Sequence, residues 1–146
     1  MEKKLKIKIL LVDDDEMMRI FFQDIFWIHG RNDKYEIEKA SSLEEAEKII
    51  IDEKTKPDIV FLDLILFNPG EKCNSGEKIE NTLSFIKKIK TDKKLSSIKI
   101  IIYSSYKEKA VQDEAIKLGI DGYLVKGELM PKEIIDFTDK IHESNN

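Results

Sequence analysis

Segments with the pattern of a β-strand alternate with segments with the pattern of a helix along the chain, and this alternation constrains the fold more than any other feature. The strand-like segments are 5–12, 35–40, 59–63, 98–103 and 121–125. The helical segments are 15–29, a stretch opened by Ser42, about 78–91, about 108–118, and a stretch opened by Pro131. Strands that alternate with helices form a parallel sheet that helices cover on both faces. The sequence therefore predicts an α/β, doubly wound, five-stranded parallel sheet.

The apolar content of each strand predicts its place in the sheet. The first, third and fourth strands are apolar without alternation, as strands buried on both faces are. The second, 35–40, alternates apolar and charged residues, which is typical of an edge. The strand order 2-1-3-4-5 satisfies these patterns. In such a sheet ligands bind beyond the carboxyl ends of the strands where the winding reverses, here between the first and third strands.

Polar side chains follow four of the five strands. Asp13 and Asp14 come after the first, Asp63 ends the third, Ser104 follows the fourth, and Lys126 follows the fifth. Parallel strands bring these groups to one edge, where carboxylates about 4 Å apart repel by roughly 4 kcal/mol at an effective dielectric constant near 20. A proton or a cation must relieve that repulsion, and oxygen ligands of this kind suit Mg²⁺. With an ammonium and a hydroxyl beside it, the pocket suits a phosphoryl group, and a carboxylate can itself be the nucleophile.

The bulk composition narrows the functional class. With 146 residues, we expect one domain over 1–146 and no attached output domain. The net charge of −4 and the lack of a basic block do not favour direct nucleic-acid binding. Cys73 is the single cysteine, so an internal disulfide is excluded. Since the sequence shows neither a signal peptide nor a membrane span, we expect a cytoplasmic protein.

Four motifs resemble the receiver domains of two-component response regulators, and the resemblance covers nearly the whole chain. They are LLVDDDE (10–16), PDIVFLDL (57–64), IIIYSS (100–105) and GIDGYLVKG (119–127). The resemblance implies a flavodoxin-like fold and a single-domain, chemotaxis-regulator-like protein in a two-component or phosphorelay system. It also implies a protein that promotes only its own phosphorylation and dephosphorylation, and is otherwise no enzyme.

The resemblance implies a role for each matching residue. Asp63 matches the phosphoacceptor, and Ser104 and Lys126 match the hydroxyl and lysine that contact the phosphoryl oxygens. Asp13 and Asp14 match the acidic pair that holds Mg²⁺ together with Asp63, and the main-chain carbonyl of Ile65 would complete the protein ligands. Tyr123 matches the aromatic residue that switches with Ser104. The implied partners are a histidine kinase or phosphotransfer protein and a downstream protein, which would bind the face of helix 4, strand 5 and helix 5.

The chain departs from the family pattern in two places. The loop at 67–77 is longer than usual, with Pro69 and Gly76 both late. Gly127 stands where the family usually has a proline with a cis bond, so we expect a trans or mobile Lys126–Gly127 bond and a less firmly held Lys126. In the family, the residues two after the phosphoacceptor and two after the hydroxyl tune phosphoryl lifetime. Here they are Ile65 and Tyr106, both bulky, which predicts a fairly long-lived phosphoryl group.

Two other functions stay open from the sequence. Asp13 to Asp15 contain Asp-x-Asp after a first strand, which resembles the nucleophile motif of haloacid dehalogenase-like phosphatases, although the late acidic pair those enzymes need is missing. A receiver-like binding module that phosphorylation does not switch is the other alternative. The aspartates could also simply cap helix 1, an interpretation that suits Asp15 best.

Helix 1 carries more apolar residues than one buried stripe needs. Met17, Ile20, Phe21 and Ile28 have helical spacing and are the expected inner stripe. Phe22, Phe26 and Trp27 lie beyond that stripe. Two interpretations stay open, namely deep packing or a surface for a partner or a homodimer.

Overall fold

A computed structural model of the chain describes residues 5–67 and 74–143. Within these residues, five strands and five helices alternate. The strands are β1 (Ile7–Val12), β2 (Tyr35–Ala40), β3 (Ile59–Leu62), β4 (Lys99–Ser104) and β5 (Gly122–Val125). The helices are α1 (Glu16–Ile28), α2 (Leu43–Ile51), α3 (Ser75–Thr91), α4 (Lys109–Lys117) and α5 (Pro131–Glu143). The predictions that concern Pro69, Cys73 and most of the loop at 67–77 lie outside the described residues.

The strands form one parallel sheet in the order β2-β1-β3-β4-β5, as the apolar patterns predicted. β2 lies at an edge because its alternating sequence can cover only one face with apolar side chains. β3 is buried throughout, as its continuous apolar run requires. The winding reverses between β1 and β3, so the crevice at their carboxyl ends is the predicted ligand site.

Two apolar cores cover the two faces of the sheet. On one face, strand residues such as Leu10, Val60 and Ile102 pack with side chains of α2, α3 and α4. On the other, Leu11, Phe61 and Tyr103 pack with side chains of α1 and α5. Successive strand residues alternate between these cores because their side chains point to opposite faces. Among the described residues, no helix combines the length and apolarity that a membrane crossing requires.

The predicted inner stripe of α1 is wrong. Phe22, Ile25 and Phe26 are the buried residues of this helix. Met17 and Ile28 are instead 71% and 73% exposed. The helix has two apolar stripes that could each pack against the sheet, and the one that contains Phe22 and Phe26 is buried. The ring of Phe22 packs at a tilted angle against Phe61 of β3, with ring centroids 4.8 Å apart, and against its neighbour Phe26.

The start of α3 also differs from the prediction. The Asn74-Ser75-Gly76 turn signal is the beginning of the helix, three residues before the expected start. Asn74 is its N-cap, since its side chain accepts a hydrogen bond from the amide of Glu77 at 2.9 Å. A turn residue and a cap residue share the same chemistry, so the sequence alone did not separate them.

Candidate functional site

The carboxyl ends of four strands bring the predicted polar residues to one edge of the sheet. Asp13 directly follows β1 and Asp63 directly follows β3, and the amide of Asp63 donates to the carbonyl of Val12 at 3.0 Å. Ser104 ends β4, and its carbonyl accepts from the amide of Lys126 at 2.9 Å. The hydrogen bonds between neighbouring strands thus continue one residue beyond the carboxyl ends of β3 and β5. They fix the backbone from which each functional side chain projects.

Three carboxylates gather in this crevice. Oxygen atoms of Asp13, Asp14 and Asp63 all lie within 4.8 Å of one another. Asp13 is 1% exposed and Asp63 is 8% exposed, whereas Asp14 is half-buried. Burial raises the pKa of Asp13, and it outweighs the hydrogen bonds from Lys126 and from the Asp15 amide, which act in the opposite direction. The site therefore concentrates negative charge where water screens it poorly.

Lys126 supplies the positive charge. Its Nζ lies 2.6 Å from Oδ2 of Asp13 and 3.0 Å from Oδ2 of Asp63. It also lies 5.8 Å from the ring centroid of Tyr103 in the core below. Burial lowers the pKa of Lys126, but the hydrogen bond that Lys126 donates to Asp13 and the charges of both aspartates outweigh burial and raise it. Lys126 is therefore a cation at neutral pH and bridges the two most buried carboxylates.

Gly127 shapes the turn that presents Lys126. The amide of Glu128 donates to the carbonyl of Val125 at 3.1 Å, which closes a four-residue turn with Lys126 and Gly127 in the middle. Gly127 has φ +85°, a conformation that favours glycine and that a proline ring cannot adopt. No peptide bond among the described residues is cis, so the expected trans Lys126–Gly127 bond is confirmed. The two ion pairs of Lys126 do not indicate the looser lysine that we expected.

The hydroxyl position is connected to the switch position through one residue. Ser104 is buried, and its Oγ accepts a hydrogen bond from the amide of Tyr106 at 3.2 Å. The carbonyl of the same Tyr106 accepts a hydrogen bond from the hydroxyl of Tyr123. Burial, followed by the negative charge of Asp63, raises the pKa of Tyr123 to about 12, so its hydroxyl keeps its proton at neutral pH.

The remaining predicted residues lie around this centre. Ile65 contributes its amide, which donates to Oδ1 of Asp63 at 3.3 Å, and its carbonyl as a metal ligand stays a prediction. Asp15 is the N-cap of α1, because its Oδ1 accepts from the amide of Met17 at 3.0 Å. The cap interpretation is thus confirmed for Asp15, whereas Asp13 and Asp14 belong to the carboxylate cluster.

The structure adds two residues that the sequence analysis missed. Arg19 of α1 donates from its guanidinium to the main-chain carbonyl of Asp13 at 2.6 Å. Helical side chains point toward the N-terminus, so an arginine one turn into α1 could have indicated this contact. The amide of Phe67 donates to Oδ2 of Asp14 at 2.9 Å, and no sequence signal marks a main-chain contact across 53 residues.

The arrangement suits an oxygen-liganded cation and phosphoryl chemistry. Carboxylate oxygens bound to one Mg²⁺ at about 2.1 Å lie at most about 4.2 Å apart. Small side-chain movements would therefore bring Asp13, Asp14 and Asp63 onto one ion. The partly hydrogen-bonded carboxylate of Asp63, beside an ammonium and near a buried hydroxyl, has the surroundings of a nucleophile that accepts a transferred anion.

Comparison with protein families gives a match over most of the chain. The model of the response regulator receiver domain matches residues 9–138. The chemotaxis protein CheY of Thermotoga maritima is 30% identical over 136 residues, which are 92% of this chain and 96% of that protein. The response regulator protein VraR of Staphylococcus saprophyticus is 30% identical over 128 residues, or 82% of this chain and 49% of VraR. The chain thus spans about half the length of that relative.

Solved structures share the fold. A response regulator from Thermotoga maritima matches with a TM-score of 0.74 at 19% identity, covering 95% of this chain and 99% of that chain. The chemotaxis protein CheY4 of Vibrio cholerae matches with a TM-score of 0.70 at 20% identity, covering 94% and 99%. At these identities the likeness concerns the fold alone.

Proposed function

Because this chain belongs to the response regulator receiver domain family, a signalling module of two-component systems, we propose that it accepts a phosphoryl group on Asp63. The family interacts with histidine kinases or phosphotransfer proteins and with downstream targets. We propose that a protein of the first kind donates the phosphoryl group here. The observation that carries the proposal is the ion pair of Lys126 with Asp13 and Asp63 at the point where the winding of the sheet reverses.

The chemistry requires one bond to form and one to break. A carboxylate oxygen of Asp63 attacks the phosphorus atom, a new phosphorus–oxygen bond forms, and the bond from phosphorus to the leaving group breaks. With acetyl phosphate as the donor, acetate leaves with the electron pair. Lys126 stands close enough to Asp63 to pair with a phosphoryl oxygen, and such charge-assisted hydrogen bonds are the strong ones.

We propose that Asp13, Asp14 and Asp63 hold Mg²⁺, with the carbonyl of Ile65 as a further ligand. When bound, a divalent cation there would neutralise charge that develops on the phosphoryl oxygens. This chain's own contribution is to orient the ligands. The amide of Asp15 holds Oδ1 of Asp13, and the amide of Phe67 holds Oδ2 of Asp14, so each carboxylate has one oxygen fixed by the backbone.

We propose that the output is a change in protein contacts. Ser104, Tyr106 and Tyr123 form a continuous hydrogen-bonded path from the edge of the sheet to β5. A phosphoryl group on Asp63 that drew the hydroxyl of Ser104 would take it from the Tyr106 amide. That exchange would alter the loop before α4, and with it the face formed by α4, β5 and α5. Moving such an equilibrium from 1:99 to 99:1 takes about 5.5 kcal/mol of differential interaction.

The residues beside the site bear on phosphoryl lifetime. Ile65 packs against the apolar core of α2, α3 and α4, and so does the half-buried Tyr106. Bulky side chains at these positions would restrict an attacking water, so we propose a fairly long-lived phosphoryl group. An Ile65→Asn, Tyr106→Glu double variant should lose the phosphoryl group faster, and an unchanged rate of loss would count against this part of the proposal.

One alternative retains support from a particular residue. Gly127 makes the turn after β5 unlike the proline turn expected from the resemblance. This chain could then be a receiver-like binding module that phosphorylation does not switch. Partner binding that acetyl phosphate and Asp63→Asn both leave unchanged would favour it. The haloacid dehalogenase-like phosphatase receives no support from the family match.

The deciding experiment is phosphorylation with acetyl phosphate and Mg²⁺, followed by intact mass. The parent protein should gain one phosphoryl mass, and Asp63→Asn should gain none. Asp15→Asn is the matched control, because it removes a neighbouring carboxylate yet keeps a good cap for α1. Equal labelling of the Asp63→Asn variant and the parent would refute Asp63 as the acceptor.

A further inference from the structure

The outer face of α1 carries an apolar stripe, broken once by a charged residue, that no described residue covers. Its members lie opposite the buried side of the helix, and three of them are about two-thirds or more exposed. The five members, with their exposed fractions, are Met17 (71%), Ile20 (42%), Phe21 (44%), Trp27 (68%) and Ile28 (73%). Single exposed apolar residues need no explanation, but a cluster of large exposed apolar residues on one helix face marks an interaction surface.

The spacing of the stripe is that of a helix that pairs with another helix. Met17, Ile20, Asp24 and Trp27 occupy alternating steps of three and four residues, the repeat of a coiled-coil seam. The seam is short, because its four positions from Met17 to Trp27 extend only about 15 Å at the rise of an α-helix. One charged residue, Asp24, interrupts it.

The exposed apolar area of this stripe is most of the area that one partner buries in a stable protein–protein interface. The exposed fractions of the five apolar residues amount to about three whole side chains, or roughly 600 Å² at about 200 Å² for each large apolar side chain. The largest apolar patch of a typical monomer is roughly 300–600 Å². A stable interface buries about 800 Å² on each partner, which the stripe and its polar margin together would provide.

We propose that the stripe binds a second copy of this chain, with the two α1 helices antiparallel about a two-fold axis. In this arrangement Met17 faces Trp27 of the second copy, and Ile20 faces its Asp24. The same patch then serves on both copies, as a two-fold interface requires. The seam supports this because large apolar residues lie at both of its ends.

Asp24 selects the direction of pairing. Parallel helices would place the two Asp24 carboxylates side by side in the seam, where like charges repel. Antiparallel helices place each carboxylate against Ile20 instead and separate the two charges along the axis. A polar residue in a seam is known to fix register at a cost in stability. The proposal is independent of phosphorylation, and it extends the proposed function by assigning a separate surface.

The experiment uses the natural reporter in the stripe. Trp27 is the chain's single tryptophan, so tryptophan emission, excited where the four tyrosines do not absorb, reports on this surface alone. We expect the emission of the full chain to shift to shorter wavelength as concentration rises by roughly a hundredfold, with a parallel change to dimer mass in sedimentation. A monomer mass and constant emission across that range would overturn the proposal. A shift in emission that appears only when a phosphotransfer protein is added would overturn it as well.

Three variants test the contact itself. Ile28→Lys should raise the dimer dissociation constant at least tenfold, whereas Ile51→Lys should leave it unchanged. The control is matched because Ile51 is also the last residue of its helix and is 61% exposed. Asp24→Leu should lower the dissociation constant several-fold, because it removes the charge from the seam. An Asp24→Leu variant that associates no more tightly, or an Ile28→Lys variant that dimerises like the parent, would refute the arrangement.

Discussion

Replacing Lys126 with methionine should destabilise the protein strongly at neutral pH without divalent cations. The substitution keeps an unbranched side chain of similar length and removes the positive charge. Lys126 is 15% exposed and its partners Asp13 and Asp63 are 1% and 11% exposed at the side chain, so this is a buried pair and not a surface one. Breaking a buried pair by removing one partner costs about 3–5 kcal/mol, because the other charge is left without compensation.

The loss should depend on pH in a defined direction. The pKa of Asp13 is already above its unfolded value of 3.8, so ionising this carboxyl costs stability as pH rises through the folded pKa. Without Lys126 that pKa rises further, so the difference in the free energy of unfolding between variant and parent should grow as pH rises from about 4 and level off once pH exceeds the folded pKa of Asp13 in the variant. The pKa of Lys126 is raised from 10.5, so the lysine's own contribution stays constant below that pH and is lost only as pH rises through the folded pKa.

Urea unfolding followed by circular dichroism, at several pH values and with or without Mg²⁺, measures this prediction. Mg²⁺ should recover part of the loss, because a cation at the carboxylates replaces the missing charge. Lys132→Met, on an exposed position of α5, is the control and should change the free energy of unfolding by less than about 0.5 kcal/mol. If Lys126→Met unfolds like the parent at pH 7 without Mg²⁺, the carboxylates do not depend on this lysine and the electrostatic account is wrong.

Substitutions at three further positions test the turn, the packing of α5 and the hydrogen-bonded path. Gly127→Ala should cost about 1–2 kcal/mol of unfolding free energy because Gly127 has φ +85°. Gly127→Pro should cost more because proline cannot adopt that angle. Urea unfolding of both variants shows which loss is larger. Gly122→Ala should cost about 1–3 kcal/mol in the same assay, since a Cβ there would clash with the ring of Phe137. Tyr123→Phe should cost about 1 kcal/mol of unfolding free energy by losing the hydrogen bond to Tyr106. Phosphorylation should also change the amide NMR signals of the Tyr106 loop less in this variant than in the parent. Equal changes in variant and parent would exclude this path.

The sequence was sufficient to predict the order of the strands in the sheet, because the strands differ in how many of their faces can be buried. β3 has no polar residue between Ile59 and Leu62, so it must lie inside, whereas β2 alternates and must lie at an edge. Strand order then determined where Asp13, Asp63 and Lys126 would meet. Each step followed from burial and from the direction of parallel strands, which local sequence encodes.

The outer face of α1 could not be predicted in the same way. Both of its stripes have helical spacing, and periodicity alone does not say which one meets the sheet. The choice depends on fit, since the rings of Phe22 and Phe26 fill the space against Phe61 and Tyr35. The amide of Phe67 on Asp14 escaped prediction for a related reason, because a main-chain donor carries no side-chain signature.

The charges of the site explain why the lysine and a cation would act together. Three carboxylates and one ammonium leave a formal charge of −2 in a crevice where two carboxylates 4 Å apart repel by roughly 4 kcal/mol. Burial raises the pKa of Asp13, and the charge of Asp63 adds a smaller increase. A divalent cation would bring the formal charge to zero, and a phosphoryl dianion on Asp63 would then return it only to −1. Without the cation the same step would bring an anion into a site at −2, so phosphorylation should require the cation even though Lys126 is already in place.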